Sequence, residues 1–186
     1  PDIKKTIMET KKTNPGVTYG LISGLASVLF SLLLYLGGEK WFVSPVAYTG
    51  ILIPIIIAVL AGLKQKKTEG GYLEFSAALK VVFTSFVIGT IISTLFNYIL
   101  LNFIDVPFRQ ALAQETTVKM QEVMQKFGAP QDAIDKATED ALKGNNFSFG
   151  KQMLGTAFYC IFWFIVSLII AAIIKKKKPE FPAPQV

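Results

Sequence analysis

Four runs of about 20 mostly apolar residues decide which solvent this chain folds in. A helix that crosses a hydrocarbon core about 30 Å thick needs that many residues at about 1.5 Å of rise each. Residues 17–36, 45–63, 77–101 and 154–174 meet the requirement. The last carries about a dozen Leu, Ile, Phe and Val side chains and no charge. At about −0.3 to −0.6 kcal/mol each, these favour insertion by about 4 to 7 kcal/mol before polar residues are counted. One such helix could be the buried core of a water-soluble protein, but four in 186 residues could not. The expected fold is an all-α membrane protein with four transmembrane helices and a helical extracytoplasmic hairpin between spans three and four.

Lysines set the expected orientation. Lys4, Lys5, Lys11 and Lys12 precede the first span; Lys64, Lys66 and Lys67 follow the second, with Lys80 opening the third; Lys175, Lys176, Lys177 and Lys178 follow the fourth. With four spans these zones share one face, and cytoplasmic loops are the ones enriched in Lys and Arg. The segment 37–44 holds only Lys40 beside Glu39, and 102–153 holds six basic and seven acidic residues, so neither has a positive bias. The chain therefore divides into a cytoplasmic N-terminal segment (1–16), three spans with short loops (17–101), an extracytoplasmic helical loop (102–153), the fourth span (154–174) and a basic cytoplasmic tail (175–186). Residues 17–36 are too long for the apolar stretch of a cleavable signal peptide and lack a cleavage site, so they are expected to stay as a helix. The expected location is a bacterial inner membrane, multi-pass, with both termini cytoplasmic.

The outer loop has a pattern of its own. Asp105 can cap a helix with Pro107 in its first turn, where a missing N–H costs little. Phe108, Leu112, Met120, Val123, Met124 and Phe127 then recur at helical spacing, and Gly128 ends the run. A second helix follows from Pro130, with Ala133, Ile134, Ala137, Ala141 and Leu142 on a stripe, and Gly144-Asn145-Asn146 stops it. A hairpin of about 40 residues cannot hold a sizeable core alone. Its apolar stripes must cover the chain's own bundle, the membrane surface, a second copy or a partner. Phe108, Leu112, Val123, Phe127, Ile134 and Leu142 are the candidate partner-binding residues.

Inside lipid, helices associate through small residues and interhelical hydrogen bonds rather than hydrophobic drive. Gly16, Gly20 and Gly24 fall at four-residue spacing in the first span; Ser85, Gly89, Ser93 and Asn97 do so in the third. These are the candidate helix-packing residues, and the first and third spans are expected to meet along them. A homodimer seam or a polar path is the sharper reading of the same stripes. Ser27-Val28-Leu29-Phe30-Ser31 also resembles Ser93-Thr94-Leu95-Phe96-Asn97. Pro54 is expected to kink the second span.

Reactive groups are scarce. The chain has no histidine and one cysteine, Cys160, inside an apolar run. That removes histidine-based acid–base chemistry, Ser-His-Asp and Cys-His arrangements, and Cys/His metal sites. The carboxylates Asp132, Asp135, Glu139 and Asp140 have the spacing of a solvated helix face rather than of a metal loop. No Asp, Glu, Arg or His lies mid-span, where proton relays and ion paths place them. The net charge of +6 does not point to nucleic acid, because the lysines flank apolar runs and Arg109 is the single arginine. No catalytic residue, metal ligand or cofactor is expected, and the chain is not expected to be an enzyme.

The stretch Gly70-Gly71-Tyr72-Leu73-Glu74-Phe75-Ser76-Ala77-Ala78-Leu79-Lys80 continues to Phe96-Asn97-Tyr98 and Asn102-Phe103-Ile104-Asp105. With the acidic outer loop and the lysine-rich end, it resembles a family of small inner-membrane proteins of Bacteroidota-type bacteria, catalogued as domain of unknown function 4199. The resemblance covers nearly the whole chain. It implies four spans and a bacterial inner membrane, and supplies no activity. The leading functional reading is a non-enzymatic accessory or scaffolding subunit of a membrane complex, with membrane lipids and a membrane-protein partner or second copy as its contacts. The second is a small passive or partner-dependent transporter or flippase of a lipid-linked substrate. A polar groove running from Lys80 to Asn97 favours the second; a dry, tightly packed bundle with no lipid-sized groove undermines it.

Overall fold

The computed structural model describes residues 14–143 and 147–178, without the side chains of Leu142 and Lys143. The lysines at 4, 5, 11 and 12 and the stop signal at 144–146 lie outside the described residues. Helix α1 covers Pro15–Leu36, capped by the Asn14 side chain, which accepts from the Gly16 N–H at 2.9 Å. Short helices α2 (Glu39–Phe42) and α3 (Pro45–Thr49) turn the chain at the far end. Helix α4 (Leu52–Thr68) returns, and α5 (Phe75–Ile99) runs outward again. A π turn, Leu100–Ile104, leads into α6 (Val106–Lys126) and α7 (Gln131–Lys143). Helix α8 (Phe149–Ile174) completes the bundle. Four helical stretches are long and apolar enough to cross a membrane: Pro15–Leu36, Pro45–Thr68, Phe75–Ile104 and Phe149–Ile174. The chain is thus an all-α protein with four membrane-span helices.

The second span is longer than the hydropathy alone suggests, extending through Lys64, Lys66 and Lys67 to Thr68. It is also broken between α3 and α4. Pro54 has no N–H to give the carbonyl four residues before it, Gly50. That carbonyl accepts instead from Ile53 at 3.3 Å, and the chain turns there.

Helix α5 is the centre of the bundle and packs against α1, α4 and α8, while α1 also packs on α4. Small residues let α1 and α5 close up. A Cβ added to Gly16 would lie 2.7 Å from the Val81 carbonyl oxygen, and one on Gly24 would lie 2.7 Å from Ile92. Gly20 faces Ile88 and the Ser85 carbonyl, and Gly89 faces Ser23. Both glycine stripes are therefore occupied within one chain. Meanwhile Leu21, Leu25, Leu29 and Leu33 stand exposed at four-residue steps on the opposite face of α1. Small residues inside and large apolar ones outside is the arrangement suited to hydrocarbon as solvent.

The lysine-bearing end is closed. Ala58, Val82, Phe86, Trp163 and Ile170 belong to one buried cluster, with Phe86 and Trp163 stacked at 4.3 Å between ring centroids. Beyond it, Leu73 and Lys176 exchange both backbone hydrogen bonds at 2.8 Å. Lys66 Nζ donates to the Ile174 carbonyl at 2.8 Å and satisfies an orphan carbonyl at the α8 C-terminus. The Lys175 and Lys176 ammonium groups lie over the Phe75 and Tyr72 rings.

Candidate functional site

The other half of the bundle is open. A cavity of about 720 Å³ lies between α1, the second span, α5 and α8, on the side nearer the α6–α7 hairpin. This is within the range of pockets that hold small-molecule ligands. Helices α4 and α8 touch at the lysine-bearing end, where Gly62 meets Ile174 and Lys66 donates to its carbonyl. Farther out, Ile51 and Pro54 form one wall and Gly155, Thr156 and Tyr159 the other, with the cavity between them. Tyr48 is 76% and Tyr159 50% exposed, so the mouth opens to the surface of the bundle. Trp163, stacked on Phe86, closes the inner end.

The back of this groove is a polar seam. Ser31 Oγ donates to Asn97 Oδ1 at 2.6 Å, joining α1 to α5. Asn97 Nδ2 donates to the Ser93 carbonyl at 2.9 Å, which fixes the amide orientation. Thr156 Oγ1 on α8 lies 3.2 Å from Thr94 Oγ1 on α5 and donates to the Gln152 carbonyl at 2.8 Å. None of these bonds uses the hydroxyls of Ser27, Thr90 or Ser93, which also line the groove. Phe30, Phe42, Ile51 and Pro54 supply apolar lining. Two further hydroxyls, Ser23 and Ser85, are buried in the α1–α5 contact without a hydrogen-bond partner among the described residues. The residues given to this chemistry can hold an amphiphile by hydrogen bonds and apolar contact. Among the described residues, no group of three or more His, Cys, Asp or Glu side chains is placed to hold a metal.

A rim of polar contacts sits above the groove. Tyr35 OH donates to Asp105 Oδ2 at 2.8 Å, and Asp105 Oδ1 accepts from the Phe108 N–H at 2.9 Å. That N–H, then the tyrosine hydroxyl, holds the Asp105 carboxyl below its ordinary range. Arg109 Nη1 donates to Asn102 Oδ1 at 2.7 Å, and Asn102 Nδ2 donates to the Phe147 carbonyl at 3.1 Å. The π turn, closed by Asp105 N–H to the Leu100 carbonyl at 2.8 Å, sets these residues in register.

The structure separates the sequence-derived candidates into groups. Gly16, Gly20, Gly24 and Ser85 lie in the α1–α5 contact, and Gly89, Ser93 and Asn97 continue from it into the groove. Of the hairpin residues, Phe108 packs edge-on against Tyr35 and Phe42, Leu112 is buried and lines the groove, and Ile134 is buried. Val123 and Phe127 are exposed, Phe127 at 87%, and the Leu142 side chain lies outside the described residues. The polar path does not reach Lys80: on α5 it begins at Gly89, because Phe86 and Trp163 fill the space below. Sequence reasoning missed Gln152, Thr156 and Tyr159. They recur at i, i+4 and i+7 on α8, so spacing could have shown that they share a face, but not that this face meets α5.

A family model described as Protein of unknown function (DUF4199) matches residues 18–176. The chain belongs to this family. The DUF4199 match takes in all of the groove-lining residues and the clasp of Tyr72, Leu73 and Phe75 with Lys175 and Lys176. In this DUF4199 chain, the stretch 70–80 that carries the sequence resemblance thus begins in the clasp, at the opposite end of the bundle from the groove. Among curated proteins and among solved structures, nothing matches the chain.

Proposed function

We propose that this chain is a non-enzymatic protein of a bacterial inner membrane that holds an amphiphile in its lateral groove, as a small passive or partner-dependent carrier of a lipid-linked substrate. The single observation that carries this reading is the open, partly polar groove of about 720 Å³ between the second span and α8. A tightly packed bundle has no place for a lipid; this one has a hydroxyl- and amide-lined seam backed by apolar walls. The lysine zones support cytoplasmic termini and a hairpin on the outer face. The groove then faces the outer leaflet and the closed core the inner one. Passage across the membrane needs the Phe86–Trp163 stack to part. Reconstitution into vesicles containing a fluorescent lipid tests the transport half, with dithionite quenching as the readout. Faster loss of inner-leaflet signal, abolished by filling the groove with Gly155→Trp, supports transport. Unchanged rates limit the role to holding and presenting the lipid.

Accessory-subunit action is the second reading, and the exposed distal part of α6 favours it. Val118, Val123 and Phe127 are uncovered there, while the proximal part is docked on the bundle. Crosslinking from position 127 in intact membranes, followed by mass spectrometry, tests it. A reproducible membrane-protein partner supports a subunit role, and only lipid adducts count against it.

A further inference from the structure

Resting on the amphiphile-holding reading, the groove also restricts the chemistry of what it holds. We infer that it takes the head of an uncharged, hydroxyl-bearing lipid of the diacylglycerol or glycosyl-lipid class, entering sideways between the second span and α8.

Charge is the deciding observation. Among the described residues that line the cavity, none carries a formal charge. Ionic groups around the groove's rim are engaged elsewhere: Asp105 with Tyr35 and the Phe108 N–H, Arg109 with Asn102, and Lys119 with Glu122. A phosphate-bearing head seated beside Asn97 and Thr156 would therefore lack a cation while losing water. Such burial is strongly unfavourable unless the charge is paired. An uncharged head with hydroxyls meets no such penalty. Ser27, Thr90 and Ser93 offer hydroxyls that can donate and accept, and the Asn97 carbonyl oxygen has a second lone pair beyond the Ser31 bond. In a hydrocarbon setting these groups gain from any partner that water does not supply.

Shape agrees with that assignment. The polar atoms lie at the back, on α1, α5 and α8, and the apolar side chains Ile51 and Pro54 lie on the second span. A head turned inward leaves its acyl chains to run out past Tyr48 and Tyr159, which are exposed at the mouth. The inner end is shut by Trp163, so the head enters from the hairpin half. Gly155 lines the groove, and a Cβ there would meet nothing within 4 Å, so a larger side chain can be placed there without a clash.

The test uses the full chain in phosphatidylcholine nanodiscs with two photoactivatable probes of identical acyl chains, diacylglycerol and phosphatidic acid. Labelled peptides are mapped by mass spectrometry. Diacylglycerol is expected to label groove-lining positions at least about tenfold more than phosphatidic acid, the ratio that about 1.4 kcal/mol produces. Gly155→Trp should abolish that labelling while thermal stability stays within the wild-type range. Asn97→Leu should reduce the preference between the probes. Equal labelling by both, or preference for phosphatidic acid, overturns the charge assignment and leaves the amphiphile-holding reading standing. Labelling of the groove by neither probe overturns both.

Discussion

Gly16 and Gly155 make opposite demands on a side chain. Gly16 lies against the backbone of α5, where a Cβ would sit 2.7 Å from the Val81 carbonyl oxygen. A carbonyl in a helix cannot rotate away as a side chain can, so the helices must separate. Gly16→Ala should therefore destabilise the bundle by about 1–3 kcal/mol, the usual cost of overpacking. Gly155→Ala projects into open space and should stay within about 0.5 kcal/mol of wild type. Reversible unfolding in mixed micelles compares the two, and equal effects would contradict the α1–α5 contact. Asp105 makes a different demand, because its carboxylate must be ionised to serve both the Phe108 N–H and Tyr35. Its pKa is lowered in the folded state, so its stabilising contribution is present above the ordinary carboxyl pKa of about 3.9. The contribution is lost as pH falls through the depressed folded value. Spin-label distances between the exposed positions 36 and 125 should thus be constant at neutral pH and broaden only in strong acid. Asp105→Asn keeps a capping oxygen without the charge, and its distance distribution should not respond to pH over that window.

Among the elements, the second span departs most from a simple helix. Its break at Gly50 lies four residues before Pro54, whose missing N–H leaves that carbonyl to Ile53. Pro54→Ala supplies the N–H and should let α3 and α4 join into one straighter rod. Spin labels at Tyr48 on the second span and Tyr159 on α8, both lining the cavity, should then report a shifted distance. An unchanged distance would assign the break to the packing of Gly50 against Phe30 instead. This span also shows how far the pattern could be read. Hydropathy located all four spans, since each must supply its own apolar length, and Asp105 was legible as a cap from its place before Pro107. The proline was legible too, but its effect surfaces a full turn earlier, where only a carbonyl's needs reveal it. The groove was legible in half: Ser93 and Asn97 stand on a regular stripe, whereas Gln152 and Thr156 belong to a different helix. Which faces of α5 and α8 meet depends on their relative rotation, and that is set by the Phe86–Trp163 stack and the Thr94–Thr156 pair. No periodicity within one helix encodes that rotation.

At the scale of the molecule, the two ends of the bundle are built on different principles. The lysine-bearing end is closed by the cluster around Phe86 and Trp163, by the Leu73–Lys176 backbone pair and by Lys66 on the Ile174 carbonyl. The other end is propped open and roofed by the proximal part of α6. Such asymmetry has consequences only if the two ends lie in different leaflets. The Leu73–Lys176 pair makes the topology testable without reference to charge rules, because it ties the turn after the second span to the end of the fourth. Both must emerge on one side, and the hairpin, one span removed from each, on the other. The measurement is labelling by a membrane-impermeant maleimide in a chain whose Cys160 is replaced by Ala, with single cysteines at Thr68, Lys178 or Phe127, all of them exposed. In inside-out vesicles the first two should react and the third should not; in right-side-out vesicles the pattern should invert. Thr68 and Lys178 reacting from opposite sides would break the backbone pair and the four-span arrangement together. Phe127 reacting from the same side as Thr68 would require both the third and the fourth spans to turn back within the membrane, and the groove would then open toward the leaflet that carries the lysines.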